Sequence, residues 1–328
     1  MNSRKVIFDK QKSAVIIVKE RTPEEGQLLL KARYSLMSLG TEMTDYLGHK
    51  RGGAAYPSNP GYSLTGEVIE IGGGVSNFKK GDLVWSLANH ETYPLADAAD
   101  CVKLSEKDDP SDATFLALGK VALHGIRRLD IKINEPVAVF GLGLVGLLSV
   151  QLAKLCGANP VIGVDLAEER CAVAGKCGAD ITVNPLKEDP VEVIQKATGG
   201  KGAGAIVEAS GSDRIFPYLF KAAAYAGRIA MVGGLHKDVM ADFFTDFQVK
   251  ELTIMGCRQV LPYRATPFDK WDLPANYNSV LELIRNGMLN VKPYVSKTIR
   301  LDDTLGVYKD LGEGRNRDYL GVLIDYSK

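Results

Sequence analysis

The sequence predicts an α/β protein in two parts, a β-rich first third followed by a doubly wound parallel sheet. Three observations predict it. Alternating apolar segments separated by glycine and proline turns fill the first hundred residues. From about Ala113, helix-length amphipathic stretches alternate with short apolar runs, the pattern of βαβ units. A length of 328 residues suits two domains of roughly 150 residues each.

Taken in order, the opening MNSRKVIFDK goes straight into a strand-like pattern and lacks the apolar core of a signal peptide. Segments 14–18, 27–34 and 66–71 read as strands, and 82–86 follows the Lys80-Gly81 turn as another. A helical turn is expected over 42–47. Six apolar runs then recur at 136–140, 161–164, 181–183, 205–208, 229–232 and 252–255, the number that two mononucleotide-binding halves need. Residues 256–278 read as irregular and rich in proline and aromatics. A helix over 279–286 and a closing β segment over 319–326, packed back on the first domain, complete the chain.

Composition narrows the function classes. The net charge is zero, so no overall positive field recruits nucleic acid or anionic lipid. No apolar run reaches the ~18 residues of a membrane helix; the longest, 137–155, is broken by three glycines, Ser149, Gln151 and Lys154. Cys101, Cys156, Cys171, Cys177 and Cys257 are odd in number and scattered, giving neither a disulfide framework nor a metal knuckle. A reducing cytoplasm is the simplest compartment.

The first of the six runs leads into Gly141-Leu142-Gly143-Leu144-Val145-Gly146, a GxGxxG placed between a strand and a helix. Gly141 permits the tight turn, Gly143 lets backbone approach a pyrophosphate, and Gly146 lets helix and strand pack closely. The helix N-terminus offers amides and a positive dipole end to phosphates. Asp165 ends the next run 19 residues after Gly146, near the usual offset of about 20 for an acid that binds ribose hydroxyls. These features define a Rossmann domain and favour NAD over NADP, with Arg170 close enough to offer a 2′-phosphate partner. The alternative for Asp165 is a helix cap. Ser210 and Gly211, and Val232, Gly233 and Gly234, follow the fourth and fifth runs and are expected to line the same crevice or to serve as plain turns.

The chain resembles the medium-chain dehydrogenase/reductase superfamily over nearly its whole length. The resemblance is carried by Leu39-Gly40-Thr41-Glu42, by Pro60-Gly61-Tyr62-Ser63-Leu64-Thr65-Gly66-Glu67-Val68, and by Gly74-Val75 with Phe78-Lys79-Lys80-Gly81-Asp82-Leu83-Val84. Ala122-Leu123-His124-Gly125-Ile126-Arg127-Arg128, the nucleotide fingerprint and the ending Tyr319-Leu320-Gly321-Val322-Leu323-Ile324-Asp325-Tyr326 extend it. Within the superfamily it is most similar to the polyol and bacteriochlorophyllide dehydrogenase-like branch. The resemblance implies a GroES-like catalytic domain over 1–117, a Rossmann domain over 118–262, a return to the catalytic domain over 263–328, and a homodimer.

Alcohol-oxidising relatives hold a catalytic zinc at positions where this chain differs. Leu39 stands for a cysteine, Tyr62-Ser63 for His-Glu, and Ala117 and Leu118 for the junction ligand. Leucine and alanine cannot ligate zinc, the four-cysteine lobe is missing, and no metal is expected. His49, His90 and Cys101 lie outside the matching motifs and read as surface or packing residues. Without a Lewis acid, a hydrogen-bond donor or cation must stabilise the reacting oxygen. Tyr62, Lys120 and Thr41 are the catalytic candidates by alignment. Each has a plainer alternative: core aromatic, solvated helix residue and helix cap, respectively. Glu42 reads as structural, His124 as a packing residue, and Arg258 as a contact for the nicotinamide phosphate or an anionic substrate. The segment 263–277, with Phe268 and Trp271, could wall a pocket or a dimer contact. The leading function is zinc-independent, NAD-dependent interconversion of a secondary alcohol and its ketone, with a polar small molecule (polyol, cyclitol or sugar-like) as the substrate and partner that the branch similarity implies. The rivals are a zinc-free reductase of activated C=C bonds and a dinucleotide-binding protein without catalysis.

Overall fold

The computed structural model describes residues 1–258, 271–316 and 319–328. The chain opens with an antiparallel hairpin, β1 (Asn2–Lys10) and β2 (Ser13–Glu20). Then follow β3 (Gln27–Met37), α1 (Leu39–Tyr46), β4 (Leu64–Ile71), β5 (Leu83–Ser86), β6 (Leu95–Asp97), β7 (Val102–Lys103) and α2 (Pro110–Ala113). The fingerprint region comprises α3 (Leu116–Leu129), β8 (Val137–Phe140), α4 (Leu144–Leu155), β9 (Val161–Val164), α5 (Glu168–Lys176), β10 (Ile181–Val183) and α6 (Pro190–Ala197). It continues through β11 (Ala203–Glu208), α7 (Phe216–Ala222), β12 (Ala223–Met231) and β13 (Thr253–Gly256). The chain closes with α8 (Leu273–Arg285), β14 (Val295–Ile299), α9 (Thr304–Gly312) and β15 (Gly321–Asp325).

These elements form two compact units. One contains Met1–Ala117, Tyr277–Gly287 and Val291–Lys328; the other contains Leu118–Asn276 and Met288–Asn290. In the first, a GroES-like sheet runs β14-β15-β3-β4-β5-β7, with β6 added to β3. The last strand pairs antiparallel with β3, Val322 opposite Met37 and Asp325 opposite Tyr34. Phe8, Tyr46 and Tyr308 meet there with ring centroids 4.8–5.8 Å apart and share a core with Val6, Met37, Val322 and Ile324. Burial of each such side chain contributes roughly 1.5–3 kcal/mol.

The second unit is a six-stranded parallel sheet in the order β10-β9-β8-β11-β12-β13, the doubly wound arrangement that the six runs predict. Its inner strands β8, β9 and β11 are short and buried on both faces, as Ala138, Phe140, Ile162, Val164 and Ile206 show. Register aligns their carboxyl ends: Phe140 lies beside Val164 and Glu208, Glu208 beside Met231, and Met231 beside Gly256. Every loop the fingerprint invokes therefore leaves the sheet at one edge. Among the described residues no helix is long and apolar enough to cross a membrane.

Three boundaries differ from the sequence reading. Helix α8 starts at Leu273, inside the stretch 256–278 read as irregular. Asp272 Oδ1 accepts the Ala275 amide at 2.8 Å, and Pro274 sits in the first turn, where its missing N–H costs nothing. The return to the first unit comes at Tyr277 rather than 263. Helix α1 begins at Leu39, so Thr41 lies inside it and cannot be its cap. Of the segment 263–277, residues 263–270 with Phe268 lie outside the described residues. Trp271 takes the Arg127 guanidinium over its ring at 3.7 Å, while Tyr277 packs on Trp85 with centroids 4.5 Å apart.

Candidate active site

The dinucleotide loop is built around glycines that tolerate nothing larger. Gly141 has φ +90°, and a Cβ there would lie 2.6 Å from the Ser210 nitrogen. A Cβ on Gly146 would lie 1.8 Å from the Gly141 oxygen, inside the contact distance of any atom pair. Gly143 differs: a Cβ there meets nothing within 4 Å. It is the N-cap of α4 without any side-chain cap, so the first-turn amides of Leu144 and Val145 face outward from an open backbone. That open cradle fits a pyrophosphate. Leu142 contributes its amide elsewhere, donating to Asp165 Oδ2 at 2.7 Å, and its side chain is buried. Asp165 Oδ1 accepts from Ala167 N at 2.9 Å. The carboxylate is thus fixed between loop and α5, with Arg170 Nη1 at 3.9 Å. The helix-capping alternative for Asp165 does not hold, because the N-cap of α5 is Ala167; Asp165 closes the turn that leads into the helix.

The next two loops are organised by a residue the sequence reading passed over. Glu208 ends β11, and its Oε1 accepts from Ser210 N (2.7 Å), Ser210 Oγ (2.8 Å) and Gly211 N (2.7 Å). Its Oε2 is buried and without a hydrogen-bond partner among the described residues. Burial raises its pKa, opposed by the bonds from Ser210 and Gly211. Ser210 and Gly211 thus turn their donors inward. Gly211 and Gly233 are glycines because the two loops touch backbone to backbone. A Cβ on Gly211 would meet the Gly234 oxygen at 2.8 Å, and one on Gly233 the Gly211 nitrogen at 2.6 Å. Val232 N and Gly233 N both donate to the Glu208 carbonyl. The sequence signal was an acid at a strand end followed by Ala-Ser-Gly.

Lys120 lies on α3 and is 8 % exposed, so the solvated-helix alternative falls. Its Nζ donates to the Arg258 carbonyl at 3.4 Å. Burial, and secondly the positive charge of Arg258, lower its pKa from 10.5 to about 8. Arg258 itself, just beyond β13, is exposed.

In the first unit Tyr62 is half-buried and Thr41 exposed. Tyr62 Oη donates to Ser38 Oγ at 2.5 Å. Behind them lies a buried polar network. Glu42 Oε1 accepts the Ser38 amide at 2.8 Å; its Oε2 accepts the Tyr308 hydroxyl at 2.5 Å and lies 3.3 Å from His90 Nε2. His90 Nδ1 and the Tyr326 hydroxyl both meet Ser35 Oγ, at 2.8 and 3.0 Å. Gly61, with φ +88°, brings this wall close, because a Cβ there would lie 2.8 Å from the His90 ring. His90 is fully buried and Glu42 is 3 % exposed.

Burial pushes the Glu42 pKa up, but the charge and bond of His90 and the bonds from Tyr308 and Ser38 outweigh it and hold the pKa below 4.5. As pH falls from 4.5, the unfolded chain takes up this proton before the folded one, so stability falls. Glu42→Gln is expected to cost roughly 2–4 kcal/mol at pH 7 and to flatten this acid limb, read by urea unfolding at pH 7 and pH 4.

The donor set does not fit a catalytic zinc. Leu39 and Ala117 offer no ligand atom. Ser63 Oγ is committed, donating to the Thr114 carbonyl at 2.5 Å and accepting from Trp85 Nε1 at 2.7 Å. Glu42 and His90 face each other, and among the described residues no three His, Cys, Asp or Glu cluster for a metal.

Comparison with known proteins agrees with this architecture. The alcohol dehydrogenase GroES-like domain family matches residues 24–132, and the zinc-binding dehydrogenase family matches residues 145–271. D-guloside 3-dehydrogenase of Escherichia coli (strain K12) is 28 % identical over 247 residues, covering 73 % of this chain and 69 % of that protein. (R,R)-butanediol dehydrogenase of Bacillus subtilis (strain 168) is 26 % identical over 326 residues, covering 88 % and 89 %. A Sinorhizobium meliloti 1021 dehydrogenase structure bound to NADP superposes with a TM-score of 0.85 at 21 % identity, covering 99 % of both chains. With its GroES-like sheet, its six-stranded parallel sheet and its glycine fingerprint, the chain belongs to the medium-chain dehydrogenase/reductase superfamily and is an alcohol dehydrogenase-like oxidoreductase.

Proposed function

We propose that this enzyme interconverts a secondary alcohol and its ketone with NAD as cofactor and without zinc, acting on a polar, polyol-, cyclitol- or sugar-like substrate. The observation that carries the reading is Lys120, a desolvated amine with a pKa of about 8 in a chain whose zinc-ligand positions hold leucine, tyrosine, serine and alanine. A bound nicotinamide would supply the hydride chemistry. The residues supply the rest. Neutral Lys120 accepts the proton of the alcohol and, protonated, returns it to the ketone, at a pKa suited to both near neutral pH. The Tyr62 hydroxyl and the exposed Thr41 hydroxyl supply the neutral hydrogen-bonding groups for the substrate oxygen. The D-guloside and butanediol dehydrogenases, both named for alcohol substrates, support the substrate class.

NAD is assigned through Asp165, whose charge repels a 2′-phosphate and whose lone pairs suit two ribose hydroxyls. Gly143 and the amides of Leu144 and Val145 would hold the pyrophosphate, and the loops 209–211 and 232–234 would flank the rest. Arg170, 3.9 Å from Asp165, is the feature that favours NADP instead. A homodimer and a cytoplasmic setting complete the proposal, resting on the family resemblance and on the scattered free cysteines.

Thermal-shift titration with NAD and NADP, then initial rates with polyols and vicinal diols, test the reading. NAD is expected to stabilise more than NADP, and a chelator is expected to leave turnover unchanged. Asp165→Ser should weaken NAD about 10–100-fold while NADP binding holds or improves. Equal use of both cofactors by the parent enzyme sinks the NAD assignment, and loss of activity on chelation sinks zinc independence.

A further inference from the structure

Ser38 occupies the N-cap of α1, where serine ordinarily accepts an amide of the first turn. It makes no such bond. Glu42 instead reaches back to the Ser38 amide, holding the start of the helix, and the serine hydroxyl is left to meet Tyr62 Oη at 2.5 Å. Ser38 is itself buried, 7 % exposed, so this bond is shielded from competing water. A serine withheld from its customary cap and placed against a candidate catalytic phenol has the geometry of a partner.

We infer that Ser38 is the positioning residue that lets Tyr62 serve both directions of the reaction. This rests on the reading that Tyr62 meets the substrate oxygen. A hydroxyl can both donate and accept. When an alcohol is bound and Lys120 still carries its own proton, the alcohol O–H donates to Tyr62 Oη, and Tyr62 donates to Ser38 Oγ, the polarity seen in the structure; once Lys120 is neutral, the alcohol proton passes to it. When the ketone is bound, Tyr62 donates to the carbonyl oxygen, and Ser38 turns its own O–H toward Tyr62 Oη. No net proton is gained or lost by the pair; the two O–H groups reverse direction. Alanine at 38 removes the acceptor that the alcohol-bound polarity requires and leaves the ketone-bound donation possible.

Two measurements test this. The first needs no substrate: Tm values of Ser38→Ala, Tyr62→Phe and the double variant. Ser38→Ala is expected to lower Tm by about 2–4 °C in the parent and by less than about 1 °C in Tyr62→Phe, because the two hydroxyls hold each other. The same loss in both backgrounds would mean an ordinary cap and overturns the inference. The second compares KM for alcohol and ketone, using butane-2,3-diol with acetoin and xylitol with xylulose. Ser38→Ala should raise KM for the alcohol about fivefold or more and leave that for the ketone within about twofold, with Ser38→Thr restoring the parent ratio. Equal changes in both KM values, or none, while Tyr62→Phe loses turnover, overturn the role of Ser38 alone. An unimpaired Tyr62→Phe removes the assignment of Tyr62 on which it rests. A parent enzyme inert to every pair removes both.

Discussion

Replacing Lys120 by methionine is expected to cost about 10²–10⁴ in turnover while making the protein more stable at pH 7. The two effects have one origin. The folded chain releases the Lys120 proton near pH 8, whereas the unfolded chain keeps it to about 10.5. Between those values the unfolded state binds more protons, so parental stability rises with pH. Below pH 8 the full penalty of the buried charge is present, on the order of 3 kcal/mol from the shift from 10.5 to about 8. Methionine removes that penalty but leaves the Arg258 carbonyl without its Nζ donor, so a net gain of about 1–3 kcal/mol is expected. Urea unfolding of both proteins at pH 7 and pH 10 should show the advantage at pH 7 shrinking at pH 10. Alcohol oxidation by the parent should rise toward pH 8 and level off, and ketone reduction should decline above it. A variant that keeps a third of parental turnover would show that Lys120 is not the proton carrier, whatever its effect on stability.

The second large effect separates two glycines three residues apart. Gly143→Ala places its methyl group in open space at φ −70°, a conformation alanine accepts, so folding should be unchanged. The same methyl group occupies the surface that a pyrophosphate must approach, and NAD affinity should fall by about 100-fold or more. Gly146→Ala drives a Cβ to within 1.8 Å of the Gly141 carbonyl oxygen and cannot be accommodated without moving the loop. That change should destabilise the parallel-sheet unit by about 2–4 kcal/mol, lowering Tm by roughly 5–15 °C. Calorimetric titration and thermal melts of the two variants distinguish binding from packing. If Gly143→Ala binds NAD normally, the cofactor does not cross this loop.

The parallel sheet was legible because its strands are short, apolar and punctuated by glycine, and because Asp165 falls at the offset that the ribose acid takes. Only boundaries moved. The start of α8 was hidden by Pro274 and Asn276, which look like loop residues, although Asp272 two residues before a proline is a start signal. The inward role of Glu208 was not legible, since an acid closing an apolar run does not announce which amides it will meet. Ser38 was missed for a different reason. The helical turn was expected to start at 42 with Thr41 as its cap, and only the fold moves the cap position to Ser38 and turns its hydroxyl to Tyr62. The buried partnership of His90 with Glu42 joins residues 48 positions apart, one on α1 and one in the loop between β5 and β6, a meeting that sequence spacing does not encode.

The pairing of β15 with β3 also bears on how this protein is made. β15 enters between β14 and β3, so the first sheet lacks an interior member until residues 321–325 have left the ribosome. The parallel-sheet unit, whose strands all lie between residues 137 and 256, has no such wait and can fold first during synthesis. Until then, β3 presents Tyr34 to Met37 as an unpaired edge, the kind of surface that invites pairing with other chains. Nascent-chain protease resistance should therefore appear in two steps, with the amino-terminal segment gaining protection last although it is synthesised first.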